Sequence, residues 1–210
     1  MPHSWPALFV AIIVGAYWSR VLRLVYKSYK QTGHNAGFWP AESLGRALRF
    51  IWFPAITLWF VLPLVVAIRP TLLPGTRYLW NIPWLEWLGV LIALAAFGAT
   101  LVCWKKMGKS WRMGIDPGEK TQLIFTGPYA YVRHPIYALS SLLMLASMLA
   151  VPSPAMVVVG AIHLIFLQLE ARREERYLVG VHGDDYTQYL RRVGRFVPRS
   201  LAGYHGGPTA

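Results

Sequence analysis

One stretch of the sequence combines several groups that could bind an anion: Gly-Pro-Tyr-Ala-Tyr-Val-Arg-His-Pro-Ile-Tyr at residues 127–137. Pro135 suits the first turn of a helix, and a helix N-terminus offers unpaired N–H groups to a carboxylate. Arg133 and His134 add donors, and the tyrosines add aromatic faces. The stretch is either an anion-binding turn or a membrane-entry turn in which Arg133 extends to the surface beside an aromatic belt.

A second ionisable cluster, Glu-Ala-Arg-Arg-Glu-Glu-Arg at residues 170–176, follows the last apolar run. In a helix, Glu170 and Glu174 share one face with Arg173 beside them, and His163 lies on that face seven residues before Glu170. The cluster fits either a ligand-binding helix or a solvated helix held by Glu–Arg pairs. Because a histidine within a spanning helix usually faces the bundle interior, we expect His163 to be a hydrogen-bonded core residue.

The elements that position these residues are predicted to be membrane-spanning helices. The chain has 210 residues, 55% hydrophobic and 14% charged, with a mean hydropathy of +0.39. That composition is too apolar for a soluble domain of this length. Runs long enough to span a bilayer occur at residues 5–25, 50–68 and 85–104. A further run, residues 136–169, is interrupted at Pro152-Ser153-Pro154, which predicts two short pieces in a helical hairpin.

The positive residues predict how these helices are oriented. Every Lys and Arg except Arg69 and Arg77 falls at the end of the first span, as Arg20 and Arg23 do, or after the first, third or last span, as expected for cytoplasmic segments. We therefore expect the N-terminus outside and the C-terminus in the cytoplasm, in a bacterial inner membrane rather than the endoplasmic reticulum. The net charge of +12 then reflects topology and attraction to anionic headgroups, and nucleic acid is not an expected partner.

The sequence thus predicts one all-α integral membrane domain over residues 1–210, with about five transmembrane helices, the last two forming a Pro-linked hairpin. Residues 105–135 would be a cytoplasmic loop, and residues 170–198 a cytoplasmic C-terminal helical cap broken at Gly183. In that cap an apolar stripe is expected from Tyr186, Tyr189, Leu190 and Val193. Residues 203–210 are expected to form a loose tail.

Two residue types help to define the chemistry and the packing. The ten tryptophans are expected mostly to form a belt at the membrane interface. Cys103 is the single cysteine, which excludes a disulfide framework and a cysteine-based metal cluster, and we predict no metal site.

Four motifs follow one another along the chain: the 127–137 stretch, Glu174-Glu175-x-x-Leu178, Gly183-x-x-Tyr186-x-x-Tyr189 and Arg195-Phe196-Val197-Pro198. In this order they resemble the isoprenylcysteine carboxyl methyltransferase and phospholipid methyltransferase family of membrane enzymes. The resemblance covers about residues 108–198. One departure is Ala138-Leu139-Ser140, where members commonly have a glycine shortly after the tyrosine.

The resemblance implies that S-adenosylmethionine binds between the Arg-His-Pro turn and the paired glutamates, beneath the C-terminal segment. The cofactor-binding residues it implies are Tyr131, Val132, Arg133, His134, Tyr137, Glu174 and Glu175. Arg173, beside the face of Glu170 and Glu174, is our candidate catalytic residue for orienting the methyl acceptor.

The expected activity is methyl transfer to a membrane-borne or lipophilic acceptor, which is a prenylcysteine-like carboxylate, a phospholipid amine or a small thiol. The alternatives are an NADPH-dependent membrane reductase of the sterol reductase type and a non-enzymatic small transporter or scaffold. A soluble methyltransferase would be expected to carry a glycine-rich turn after a strand, and the sequence contains no G-x-G-x-x-G.

Overall fold

The computed structural model describes residues 4–33, 36–40, 42–69, 79–108, 111–115 and 123–206, and this part of the chain contains five α-helices. They are α1 (Trp5–Thr32), α2 (Ser43–Ile68), α3 (Pro83–Met107), α4 (Pro135–Ala150) and α5 (Pro154–Arg192). No strand occurs among the described residues, and the all-α prediction is confirmed. Parts of the predicted 105–135 loop, residues 109–110 and 116–122, lie outside the described residues.

Four of the helices, α1, α2, α3 and α5, are long and apolar enough to cross a membrane, so the chain is a multi-pass membrane protein. Helix α4 has 16 residues, or about 24 Å at 1.5 Å per residue, which is shorter than a hydrocarbon core of roughly 30 Å. Helix α5 has 39 residues, so the second piece of the predicted hairpin is not short. It continues well past the apolar segment that ends near Leu169.

The hairpin between α4 and α5 forms for local reasons that the sequence displays. Val151 is the C-cap of α4, and Ser153 is the N-cap of α5, where its Oγ accepts the N–H of Met156 at 3.2 Å. Pro154 then occupies the first turn, where the missing N–H costs nothing. The prediction of a Pro-linked hairpin is confirmed.

Helices α3 and α4 approach each other closely at a small residue. A Cβ atom placed on Gly89 of α3 would lie 2.7 Å from the carbonyl oxygen of Ala146 and 2.8 Å from the nitrogen of Ala150. Both are backbone atoms of α4 or its end, so they cannot move aside as a flexible side chain could. Glycine at position 89 therefore sets the distance between the two helices.

The bundle interior is filled by aromatic side chains, and the interfacial-belt expectation is wrong for four of the ten tryptophans. Four tryptophans are buried within the chain: Trp52, Trp59, Trp104 and Trp111. The indole N–H of Trp52 donates to His163 Nδ1 at 3.1 Å, and that of Trp59 donates to Ser147 Oγ at 3.0 Å. His163 Nε2 lies 3.1 Å from Ser140 Oγ, so His163 is the hydrogen-bonded core residue that was expected. Exposed rings such as Trp84 are consistent with a belt.

The C-terminal part of α5 bends at Gly183, where φ is 54°. Beyond the bend, Tyr186, Tyr189 and Val193 pack with Phe125 in a small second core, which confirms the predicted apolar stripe. The chain continues across this core, where Tyr204 N–H donates to the carbonyl of Ala130 at 2.9 Å. The expectation of a loose tail is therefore wrong at Tyr204, because the second core offers this side chain a place to pack. Residues 207–210 of the predicted tail lie outside the described residues.

Candidate functional site

The turn before α4 is held by main-chain hydrogen bonds to the segment that follows α5. A 3-10 turn spans Gly127–Ala130, and Val132 then pairs in parallel with Gly194 in an isolated bridge. Arg133 N–H donates to the carbonyl of Gly194 at 2.9 Å, and His134 N–H donates to that of Arg195 at 3.1 Å. The Arg-His-Pro turn and the segment around Arg195, about 60 residues apart in sequence, are thus held together by main-chain hydrogen bonds.

The Arg133 side chain points into the protein and is only 5% exposed. Its Nε and Nη2 atoms lie 2.9 Å from Oε1 of Glu175. Its Nη1 donates to the carbonyls of Leu190, at 3.0 Å, and Val193. A membrane-entry turn would send this guanidinium to the surface, so that interpretation of the 127–137 stretch is wrong.

Glu175 is the centre of the resulting ion-pair network. Arg195 Nη2 lies 2.6 Å from its Oε2 and Arg195 Nε lies 3.0 Å from its Oε1, while His134 Nε2 is 3.3 Å from Oε1. The residue lies beyond the apolar segment of α5. Burial alone would raise the pKa of Glu175, but hydrogen bonds from His134 and Arg195 and the charge of Arg133 hold it well below its usual range. Glu175 is therefore a bound carboxylate with protein partners on both oxygens.

Glu174, the other member of the pair, has a different environment. Its side chain is 23% exposed, and its Oε2 accepts the hydroxyl of Tyr137 at 3.3 Å and lies 3.6 Å from His134 Nδ1. The rings of His134 and Tyr137 stack with centroids 5.3 Å apart. Among the described residues these contacts involve one carboxylate oxygen, so Glu174 retains acceptor capacity for a ligand.

Arg173 lies apart from this network. Its Nη1 is 2.6 Å from Oε1 of Glu170, and its Nη2 contacts Glu42, which precedes α2. It lines a cleft of about 390 Å³ together with Glu42, Arg176 and Tyr177. The expected neighbourhood of Arg173 and Glu170 is therefore observed, and Glu42 is an additional partner that the sequence did not suggest.

Tyr131 and Val132 face another region of the surface. With Phe196, Val197 and side chains of α3 and α4, they line an apolar groove of about 710 Å³. The structure thus brings together Arg133, His134, Tyr137, Glu174 and Glu175, while Tyr131, Val132 and Arg173 lie beside neighbouring surfaces.

Arg49, which was expected only to be one of the positive charges of a cytoplasmic segment, is buried in the protein interior. It is 1% exposed, and its guanidinium carbon lies 5.0 Å from the Trp52 ring centroid and 5.1 Å from that of Phe166. Its Nη2 donates to the carbonyl of Met113 at 3.0 Å. The available signal was an arginine one turn before a tryptophan at the start of an apolar run, a spacing that permits cation–π contact.

Residues 84–185 match the family model described as phospholipid methyltransferase. This segment, just under half of the chain, is similar to that family. The matched segment contains the whole 127–137 stretch and both Glu174 and Glu175, whereas the segment around Arg195 lies beyond it. The family prediction made from the motifs is confirmed.

Two curated proteins are similar over part of the chain. The nickel-cobalt-cadmium resistance protein NccN of Alcaligenes xylosoxydans xylosoxydans is 26% identical over 145 residues, which are 69% of this chain and 64% of that protein. The methanethiol S-methyltransferase of Crocosphaera subtropica is 33% identical over 86 residues, 40% of this chain and 33% of that protein. The chain thus matches between one third and two thirds of the length of these relatives.

A solved structure shares the fold. It is the eukaryotic intramembrane Ras methyltransferase ICMT (isoprenylcysteine carboxyl methyltransferase), with a TM-score of 0.54 and 18% sequence identity. The superposition covers 93% of this chain and 69% of that protein. The helices that position the candidate site therefore have the arrangement found in an intramembrane methyltransferase.

Proposed function

We propose that this protein is an S-adenosylmethionine-dependent methyltransferase that acts on a membrane-borne or lipophilic acceptor. The observation that carries the proposal is the match to the phospholipid methyltransferase family over the segment that contains Arg133, His134, Tyr137 and the two glutamates. The similarity to an S-methyltransferase over 86 residues supports it. The acceptor classes consistent with these relatives are a prenylcysteine-like carboxylate, a phospholipid amine and a small thiol.

The candidate site fits a cationic cofactor that also carries hydroxyl groups. Glu174 is a partly exposed carboxylate with unused acceptor capacity, so it can accept hydrogen bonds from an ammonium or from ribose hydroxyls. The stacked rings of His134 and Tyr137 lie beside it. Glu174, His134 and Tyr137 would contact the cofactor directly, with Tyr131 and Val132 at the edge of the site.

Arg133 and Glu175 would act on the cofactor mainly by shaping its site. Their charges neutralise each other, and Arg133 also bonds to two carbonyls at the end of α5. This network fixes the turn that carries His134 and the start of α4. Such preorganisation matters because in-line displacement requires the reacting atoms to be held close to the reactive geometry.

S-adenosylmethionine, when bound, supplies an electrophilic methyl group on a positively charged sulfur. The chain contributes alignment of the acceptor and exclusion of water from the reacting centre. Arg173 is proposed to orient the acceptor, since it is buried beside Glu170 and lines the cleft that Tyr177 shares. The site would face the cytoplasm, with the N-terminus outside, in a bacterial inner membrane.

No observation specifically supports either of the two alternative functions. A sterol reductase-like enzyme would bind NADPH, and a small transporter would require polar groups along a path through the bundle. His163 lies inside the bundle, but Trp52 and Ser140 already bond to it. The name of NccN refers to metal resistance; within the part of the chain that the structure describes, no group of three or more His, Cys, Asp and Glu side chains is placed to hold a metal ion.

Calorimetric titration of the purified protein in detergent tests the proposal. S-adenosylmethionine and S-adenosylhomocysteine are expected to bind, and NADPH is not. Binding of NADPH without binding of either sulfur compound would replace the methyltransferase by a reductase, and binding of none of the three would favour the transporter or scaffold.

The role of Arg173 can be tested with a matched neighbour. Arg173→Ala should lower turnover by much more than it lowers cofactor affinity, while Arg172→Ala, at an exposed position on the same helix, should change neither. An equal loss of turnover and cofactor affinity in Arg173→Ala would reject an acceptor-orienting role.

A further inference from the structure

A small cavity of about 40 Å³ lies inside the helix bundle, next to the first turns of α4. Side chains from all five helices and from the 111–113 segment line it. Tyr137 contributes to its wall, so the cavity adjoins the candidate cofactor site, where the Tyr137 hydroxyl donates to Glu174. The interior of the protein therefore has an open space directly beside the groups proposed to hold the cofactor.

The wall of this cavity carries an excess of hydrogen-bond donors. Four side chains that line it have buried N–H groups without a partner among the described residues: Trp18 Nε1, Arg49 Nε, Trp104 Nε1 and Arg112 Nη1. A buried donor left unpaired costs about 1–3 kcal/mol, and native structures contain few of them. Four such donors around one cavity indicate that the cavity receives a group that accepts hydrogen bonds.

The side chains around the cavity also carry mainly positive charge. Arg49 and Arg112 bring two guanidinium groups to its wall, and Arg49 is 1% exposed. The nearby carboxylate of Glu170 already pairs with Arg173 at 2.6 Å. The surroundings therefore favour an anion and disfavour an ammonium group, whose protons would face donors and positive charge.

We propose that this cavity binds the anionic group that receives the methyl group, a thiolate or a carboxylate, and that a phospholipid amine is not the substrate. The inference rests on the proposed methyltransferase function and deepens it by naming the acceptor chemistry. A cavity needs roughly 10–15 Å³ of such open space to hold one water, so a cavity of about 40 Å³ accepts a group of a few heavy atoms, such as the reacting end of a larger molecule. The surrounding tryptophan rings leave little room for more.

The transfer needs no proton movement in the cavity when the acceptor enters as an anion: a carboxylate is ionised at neutral pH, and a thiol gives its proton to water before it enters. A bond forms between the anionic sulfur or oxygen of the acceptor and the methyl carbon. The bond between that carbon and the sulfonium sulfur breaks, and its electron pair stays on that sulfur. Because one negative and one positive charge cancel, a site that excludes water favours this step over the same step in water. A protonated amine would first need a base, and the unpaired groups of this cavity are all donors.

The first test measures ligand binding and does not depend on methyl transfer. It uses the whole protein in detergent with S-adenosylhomocysteine bound. The indole ¹H–¹⁵N signals of Trp18 and Trp104 are assigned from Trp18→Phe and Trp104→Phe, and the protein is titrated with acetate, ethanethiol and ethylammonium. Acetate or ethanethiol is expected to shift both signals, and ethylammonium is not. The proposal is overturned if neither anion-forming compound shifts them, or if ethylammonium alone does.

The second test uses methyl transfer from isotopically labelled S-adenosylmethionine to a small thiol, a small carboxylate or phosphatidylethanolamine in vesicles. Trp104→Phe removes one N–H while keeping an aromatic ring, and we expect it to raise the acceptor KM roughly tenfold or more, the equivalent of one hydrogen bond to an anion. Trp84→Phe, at a 68% exposed position on α3, is the matched control.

The outcomes separate this inference from the proposed function. If S-adenosylmethionine does not bind the wild-type protein, the methyltransferase proposal fails. If it binds but phosphatidylethanolamine is the methylated acceptor, or if Trp104→Phe and Trp18→Phe match the Trp84→Phe control, only the cavity assignment fails. Methylation of the thiol distinguishes a sulfur acceptor from a carboxylate, and either result supports an anionic acceptor.

Discussion

Replacing each member of the glutamate pair separately by glutamine should produce two different defects. Glu175 has protein partners on both oxygens, whereas the contacts described for Glu174 involve its Oε2. We therefore predict that Glu175→Gln lowers stability and that Glu174→Gln lowers cofactor affinity. The two substitutions are chemically identical and adjacent in sequence, so each serves as the control for the other.

The size of each effect follows from burial. Glu175 and Arg133 have side chains that are 8% and 5% exposed, and breaking a buried ion pair from one side costs about 3–5 kcal/mol, because the remaining charge is left uncompensated. For a chain of this size that corresponds to a decrease in Tm of about 6–20 °C. For Glu174, losing one hydrogen bond between a charged group and the cofactor, about 1.5–3 kcal/mol, weakens binding about 10- to 100-fold.

Thermal unfolding in detergent, followed by circular dichroism, measures the first effect, and calorimetric titration with S-adenosylhomocysteine well below Tm measures the second. Glu174→Gln should unfold within about 1 kcal/mol of the wild type, since its carboxylate is partly exposed. If Glu175→Gln unfolds like the wild type and binds the cofactor weakly, then Glu175 is a ligand-binding group and the assignment of roles is reversed. If neither variant loses affinity, the cofactor site lies elsewhere.

Three further predictions concern packing, docking of the C-terminal segment and pH. Gly89→Ala should destabilise the protein by about 1–3 kcal/mol in thermal unfolding, because its Cβ would meet α4 backbone atoms at 2.7–2.8 Å, whereas Gly98→Ala, with nothing within 4 Å, should be neutral. Tyr204→Ala removes ring contacts to Phe125 and Tyr189, and it should expose residues after Arg199 to limited proteolysis without changing the far-ultraviolet spectrum. Glu175 stabilises the folded protein because its pKa is depressed there, and this stabilisation is fully present above the unfolded-state pKa of about 4.3 and is lost as pH falls below it. The Tm difference between wild type and Glu175→Gln should therefore be constant above about pH 5 and narrow below about pH 4. A Tm difference that widens on acidification would contradict the depressed pKa.

The sequence predicted the elements that depend on local signals. Apolar runs predicted the long helices, and Ser153 with Pro154 predicted the start of α5 because capping acts within one turn. The Arg-His-Pro turn and the glutamate pair were expected to share one site, and the Arg133–Glu175 ion pair confirms that these motifs meet. The role of each side chain at a bound cofactor is still a prediction.

What the sequence could not predict depends on contacts between distant residues. Trp52 looked like an interfacial ring, yet it bonds to His163, which is 111 residues away. Arg173 pairs with Glu42, 131 residues away, and no periodicity relates those positions. The family resemblance implied the same role for Glu174 and Glu175. One helical step turns Glu175 towards Arg133 and Arg195 and leaves Glu174 at the edge.

The pairing of Val132 with Gly194 also bears on how the protein is made. The Arg-His-Pro turn obtains its main-chain partners from residues synthesised about 60 positions later, an interval of about 3–12 s at 5–20 residues per second. Helices α4 and α5 separate the two segments, so both must enter the membrane before the turn can close. Assembly of the candidate site is therefore a late step in biogenesis, and a ribosome stalled before Arg195 would hold an inserted but inactive chain.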